Sequence, residues 1–218
     1  MTAIHPEIDH LDRNLVGHSA HHEAPGHGEG GPAPPRIVVG YGFWIFILSD
    51  VVMFSCFFAA YAVLHKSTAD GPTAQQIFNL NTVALETACL LTSSFTCGLA
   101  SLAAYAHYPI KFHSAMAVTF LLGAAFISLE VREFADLVSR GYGPQRSAFL
   151  SSFFSLVGCH GLHVSVGLLW LLTMMAQVVA KGFRADILRR MLCFSLFWHA
   201  LDIIWVALFT VVYLLGIF

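Results

Sequence analysis

Five stretches of this chain are each long and apolar enough to cross a lipid bilayer, and no other property restricts its fold as much. A hydrocarbon core of roughly 30 Å needs about 20 predominantly apolar residues per helix. Residues 37–64, 80–105, 112–134, 148–180 and 191–217 meet that length. With no water in the hydrocarbon to bond the backbone, such spans must satisfy their own N–H and C=O groups, which makes them helices. The expected fold is all-α, an integral membrane bundle of five transmembrane helices over residues 37–218, with no inserted soluble domain. The connectors carry the chain breakers: Asp70-Gly71-Pro72, His107-Tyr108-Pro109, Gly141-Tyr142-Gly143-Pro144 and Lys181-Gly182.

Composition points the same way: 57% of residues are apolar, 11% are charged, and the mean hydropathy is +0.70. A formal net charge of −2, with no basic cluster interleaved with aromatics, argues against a nucleic-acid partner. The cysteines Cys56, Cys89, Cys97, Cys159 and Cys193 lie in apolar segments and form no C-x-x-C pair, so they read as packing residues. Residues 1–36 are rich in His, Gly, Pro and acidic residues and cannot bury enough apolar surface to fold alone. They read as a flexible cytoplasmic tail. A metal-binding reading of His18, His21 and His22 is weaker, because no scaffold fixes them. No apolar core behind a basic start precedes the first span, so that span is expected to direct insertion.

An odd number of spans puts the termini on opposite sides. The N-terminal side collects Arg13, Arg36, Lys111, Lys181, Arg184, Arg189 and Arg190, whereas the other side has Lys66, Arg132, Arg140 and Arg146. Seven against four favours a cytoplasmic N-terminus and a periplasmic C-terminus.

Ionisable residues inside the spans are costly and must meet partners within the protein. At about 1.5 Å per residue, Asp50, His163 and His199 fall at similar levels on the cytoplasmic side, and His160 and Asp202 near the midplane. His160 and His163, like His199 and Asp202, are three apart and share a helix face. Spans four and five are joined by a short loop and should be antiparallel neighbours. The residues therefore read first as a buried hydrogen-bond network between helices, with a proton-related role and a metal site as the other readings. Asp50 is the hardest to explain as packing, since a carboxyl that deep must either pair or keep its proton. A second group, Glu86, Glu130 and Glu133, lies nearer the outer surface. It reads as an outward interfacial pair, a carboxylate proton site or polar glue between helices. Arg132, two residues from Glu130, points elsewhere on the helix, and Asp136 is its candidate partner. Gly158 and Gly161 bracket His160 and would let a neighbouring helix approach closely. No nucleophile with its base, phosphate loop or nicotinamide fingerprint is present, so no catalytic residue is assigned.

Several motifs resemble those of subunit III of the haem-copper respiratory oxidases, closest to the five-helix subunit III of cytochrome o ubiquinol oxidase. They are Gly42-Phe43-Trp44-Ile45 leading to Ser49-Asp50, the Phe126–Glu133 stretch, Gly143-Pro144 with Arg146-Ser147, Gly158-x-His160-Gly161-Leu162-His163, and Phe197-Trp198-His199-x-x-Asp202. They follow the family's order across residues 40–218. The resemblance implies a non-catalytic subunit in the inner membrane of a bacterium. Such a subunit supports assembly and stability of subunit I and contacts other oxidase subunits and membrane lipids. It implies oxygen reduction coupled to proton pumping, with haems and copper in the catalytic subunit and no cofactor or metal in this chain. Quinol is the implied electron donor of the complex. In seven-helix members the position matched by Asp50 is a glutamate associated with carbodiimide reactivity and proton uptake. Here it is one methylene shorter, and the two additional N-terminal helices that frame a lipid cleft are missing. The competing reading is a small transporter or metal permease using the midplane His/Asp set, which the lack of an internal repeat weakens.

Overall fold

The computed structural model describes residues 35–68 and 80–214. The His-rich tail, the Asp70-Gly71-Pro72 connector and Phe218 lie outside the described residues. Five long helices fall on the five apolar stretches: α1 (Pro35–Leu64), α2 (Leu80–Tyr105), α3 (Pro109–Ser139), α4 (Ala148–Lys181) and α5 (Ala185–Leu208). A π-helical turn, Phe209–Leu214, continues α5. No strand occurs among the described residues. Each helix is long and apolar enough to span a membrane, which makes this a multi-pass membrane protein.

The helix ends follow from local chemistry. Pro109 sits in the first turn of α3, where its missing N–H costs nothing. The Ser147 side chain caps α4 by accepting from the Leu150 N–H at 3.2 Å. Helix α3 ends at Gly141, whose φ of +80° lets the Gly141 and Tyr142 N–H groups turn back to the carbonyls of Val138 and Leu137. The α2–α3 turn closes in the same way, with His107 at φ +57° in the position usually given to glycine. Helix α3 therefore runs past the Phe134 boundary expected from hydropathy. Its polar last turn carries the ion pair Asp136–Arg140 at 2.7 Å, so Asp136 pairs with Arg140 and not with Arg132.

Helices α2 to α5 form a closed antiparallel ring, α2 against α3, α3 against α4, α4 against α5, and α5 back against α2. Large rings fill its interior, among them Trp198, Trp205, Phe112, Phe126, Phe153 and Phe194. Small residues decide where they fit. A Cβ on Gly123 of α3 would lie 3.1 Å from the Trp198 ring, and one on Gly167 of α4 would lie 2.9 Å from it. Trp198 is thus seated between two glycines on two helices.

Helix α1 stands apart from this ring. Its buried residues Ile47, Phe54 and Tyr61 recur every seven positions, a single narrow seam. That seam lies on α4 and α5: Phe43 meets Trp170, Phe54 meets His163, and the Tyr61 hydroxyl donates to the Val212 carbonyl at 3.3 Å. Most of its other surface is exposed and apolar, as at Ile37, Trp44 and Val63.

Candidate functional site: polar clusters within and around the bundle

The first cluster lies inside the ring. Glu86 of α2 and Glu130 of α3 are buried, at 0% and 4% exposure, while Glu133 is half-buried. All three carboxyls lie within electrostatic reach of one another. Neither oxygen of Glu86 nor Oε2 of Glu130 has a hydrogen-bond partner, and the Tyr213 hydroxyl donates to Glu133 Oε2 at 3.4 Å. The Glu130 carboxyl rests on the backbone of Gly161 in α4, in space that a side chain at that position would occupy. Gly158, also on α4, faces Phe134 instead. Glu86 and Glu130 therefore turn into the bundle, which is the geometry of an interior carboxyl cluster and not of an outward pair.

The histidines and aspartates do not converge on one network. His160, fully buried, donates from Nε2 to the Leu201 carbonyl of α5 at 3.3 Å, and Trp205 and Phe126 surround its ring. Its Nδ1 has no hydrogen-bond partner. His163, three residues on, donates from Nδ1 to the Cys159 carbonyl of its own helix at 2.7 Å and faces Phe54 of α1. Asp50 of α1 is half-buried and has Cys159 as its electrostatic neighbour.

His199 and Asp202 look the other way, toward α2. The Ser94 hydroxyl and His199 Nδ1 are 2.6 Å apart, and Ser94 also adjoins Asp202. Asp202 Oδ1 is unpartnered. His199 and Asp202 edge a cleft of about 490 Å³ between α2 and α5, walled by Leu91, Phe95, Leu99 and Leu102. Serine, histidine and aspartate are the residue types of a hydrolytic triad, but no hydrogen bond joins Asp202 to the imidazole. The arrangement links two helices and does not activate a nucleophile.

Partners that the motifs did not reveal come mostly from α2. Its Thr87 accepts from the Trp205 indole at 3.1 Å, its Ser93 accepts from the Trp198 indole at 3.1 Å, and its Thr96 bonds Thr119 of α3 at 2.7 Å. Glu86 and Ser93, like Thr87 and Ser94, are seven apart, so two turns of α2 repeat one polar face. That repeat is the signal in the sequence that points to them. No group of three or more His, Cys, Asp or Glu side chains placed to hold a metal ion occurs among the described residues.

The ring of antiparallel helices, laced by hydroxyls and indoles, defines a polytopic helical membrane protein. Residues 35–217 match the family model described as cytochrome c oxidase subunit III, and the chain belongs to that family. It is 51% identical over 205 residues to the cytochrome bo(3) ubiquinol oxidase subunit 3 of Pseudomonas aeruginosa, covering 94% of each chain. It is 50% identical to the protein of the same name from Pseudomonas putida, over 81% of this chain and 85% of that one. The cytochrome c oxidase subunit 3 of Bacillus sp. strain PS3 is 40% identical over 80% of this chain and 84% of its own length. The resemblance drawn from the motifs is borne out, and the transporter reading finds no support.

Proposed function

We infer that the chain is the accessory subunit III of a proton-translocating ubiquinol oxidase of the cytochrome o type, a quinol:oxygen oxidoreductase complex. The observation that carries this reading is the match along 94% of the chain to a ubiquinol oxidase subunit at 51% identity. The relative named for cytochrome c stands at 40%, which favours quinol as the complex's donor. Haems and copper belong to the catalytic subunit, and this chain supports that subunit's assembly and stability. It lies in the inner membrane of a bacterium with its N-terminus in the cytoplasm, the side that gathers most of the basic residues.

Within this reading the polar residues divide by role. Glu130, packed on Gly161, and His160, bonded to Leu201, join helices of the ring from inside, and Glu86 lies in the same interior without a hydrogen bond. Asp50, on the loosely held α1, is the proton-related position, with Cys159 as its electrostatic neighbour. Asp202 and its neighbour His199 are both held to α2 through Ser94 and fix the packing of α5 on that helix. Deletion of the chain tests the reading. Haem spectra of the remaining complex should be unchanged, while its thermal stability and its activity during sustained turnover fall. Unchanged assembly, stability and turnover, or a stoichiometric haem spectrum from the isolated chain, would overturn it.

A further inference from the structure

A second cleft, of about 560 Å³, runs along the membrane-facing side of the α2–α3 hairpin. Its volume falls within the roughly 300–1,000 Å³ range of small-molecule sites. On α2 and the turn that follows, it is lined at Thr96, Leu99, Ala103 and Ala106, positions that repeat one helix stripe. Across from them lie Ala115 and Val118 of α3. From Thr96 to Ala106 the stripe covers roughly 15 Å along the helix, about half the thickness of a hydrocarbon core and so one leaflet.

Polarity is distributed along this cleft in one direction only. At the deep end the Thr96 hydroxyl is already engaged, by the Ser93 carbonyl at 3.0 Å and by Thr119 at 2.7 Å. Near the mouth the Ser114 hydroxyl donates to the Lys111 carbonyl at 3.0 Å. The polar side-chain groups left free are both at the mouth: the Tyr108 hydroxyl and the Lys111 ammonium, which lies 4.9 Å from the centre of the Tyr108 ring. Among the described residues no carboxylate pairs with Lys111. The α4–α5 turn reaches the same membrane face, where Phe183 packs on His107 and Phe112. The ends of the two helices bring Lys181, Arg184, Arg189 and Arg190, of which Arg184 pairs with Asp186 at 3.7 Å and Arg190 donates to Gln177 at 2.8 Å. The mouth is therefore cationic and aromatic at the membrane surface, and the interior is apolar with no unmet hydrogen bond.

The cleft between α2 and α5 has the opposite character, because its polar groups, His199 and Asp202, lie within the span and already adjoin Ser94. An amphiphile with an anionic head and an acyl chain suits the α2–α3 cleft.

We propose that the α2–α3 cleft binds one anionic phospholipid, its phosphate against Lys111 and Tyr108 and one acyl chain seated inward between Ala103, Ala106 and Ala115. The proposal rests on the reading of the chain as a membrane subunit of an oxidase. Native mass spectrometry of the purified complex tests it, in micelles carrying equal phosphatidylglycerol and phosphatidylethanolamine. Wild type is compared with Lys111→Ala, which removes the head-group contact, and with Ala106→Phe, an exposed position where the added ring blocks the cleft and leaves the core untouched. The complex should retain one phosphatidylglycerol through delipidation. Lys111→Ala should weaken that retention about fivefold, the worth of one lysine at an anionic surface. Ala106→Phe should abolish it. Equal retention of both lipids, retention unchanged in both variants, or a cross-link from Ala106→Cys to another subunit in place of lipid would overturn the proposal. Haem in the same samples reports separately on the oxidase reading, so failure of either is seen without the other.

Discussion

The carboxyl of Glu130 occupies the volume that a β-carbon on Gly161 would need, so α3 and α4 can approach as they do only because position 161 carries no side chain. Contact this close joins a buried acid of one helix to the backbone of another. It makes the pair interdependent.

Gly161→Ala should destabilise the chain by about 1–3 kcal/mol, the usual cost of overpacking a filled interior. Combining it with Glu130→Ala should cost less than the sum of the two single changes, since the acid is what the methyl group meets. Thermal denaturation of the four members of the cycle in one detergent measures this. Strict additivity would remove the contact from the explanation.

Ser93→Ala should cost about 1 kcal/mol, with roughly 2 as the ceiling, by leaving the buried Trp198 indole without its acceptor. Trp198→Phe in the same background should then show a reduced penalty. The indole fluorescence of the single variant should shift as its N–H loses the hydroxyl, and an unmoved spectrum would count against the bond.

His160→Leu should loosen the chain from its complex, because the ring's Nε2 is bonded to the Leu201 carbonyl of α5 and nothing else replaces it. Metal content should not change. Elemental analysis of the purified assembly decides the point: metal lost in proportion to the substitution would mean that the histidine is a ligand after all.

Arg140→Ala serves as the contrasting case. Both partners of the Asp136–Arg140 pair are more than half exposed, at 59% and 55%, so the change should cost less than about 1 kcal/mol. Gly141→Ala, one residue away, should cost about that much or more, because φ is +80° there. A larger loss from the arginine than from the glycine would reverse this ranking.

The five helices were legible in the sequence because a span must be both long and apolar, and few other patterns satisfy both conditions. Rotation about each helix axis was not. His160, His163, His199 and Asp202 share spacing and depth, yet the first donates to α5, the second bonds within α4 and adjoins α1, and the last two face α2. Depth fixes height and leaves direction open. The hydroxyls of α2 were hidden for a different reason. Serines and threonines in apolar helices commonly bond back to a carbonyl four residues earlier, as Thr92, Ser128 and Ser165 do. Only the seven-residue repeat with Glu86 and Thr87 separates those from Ser93 and Ser94, whose added partners come from α5. The end of α3 was misplaced because Arg132, Glu133 and Asp136 mark where the apolar stretch ends, whereas the helix itself stops where Gly141 reverses the chain.

Among the described residues, helix α1 fully buries a side chain once every seven positions, at Ile47, Phe54 and Tyr61, with partly buried Phe43 and Phe57 packed alongside. A helix held by so thin a seam has its tilt and rotation set as much by its neighbours as by the chain that encodes it. The outer face of α1 is apolar and exposed, so its position against the ring should depend on what packs there in the complex. Half-buried Asp50 moves with α1. Its surroundings should then depend on the complex, and substitutions on the far side of α1 should change its chemistry without touching a single residue beside it.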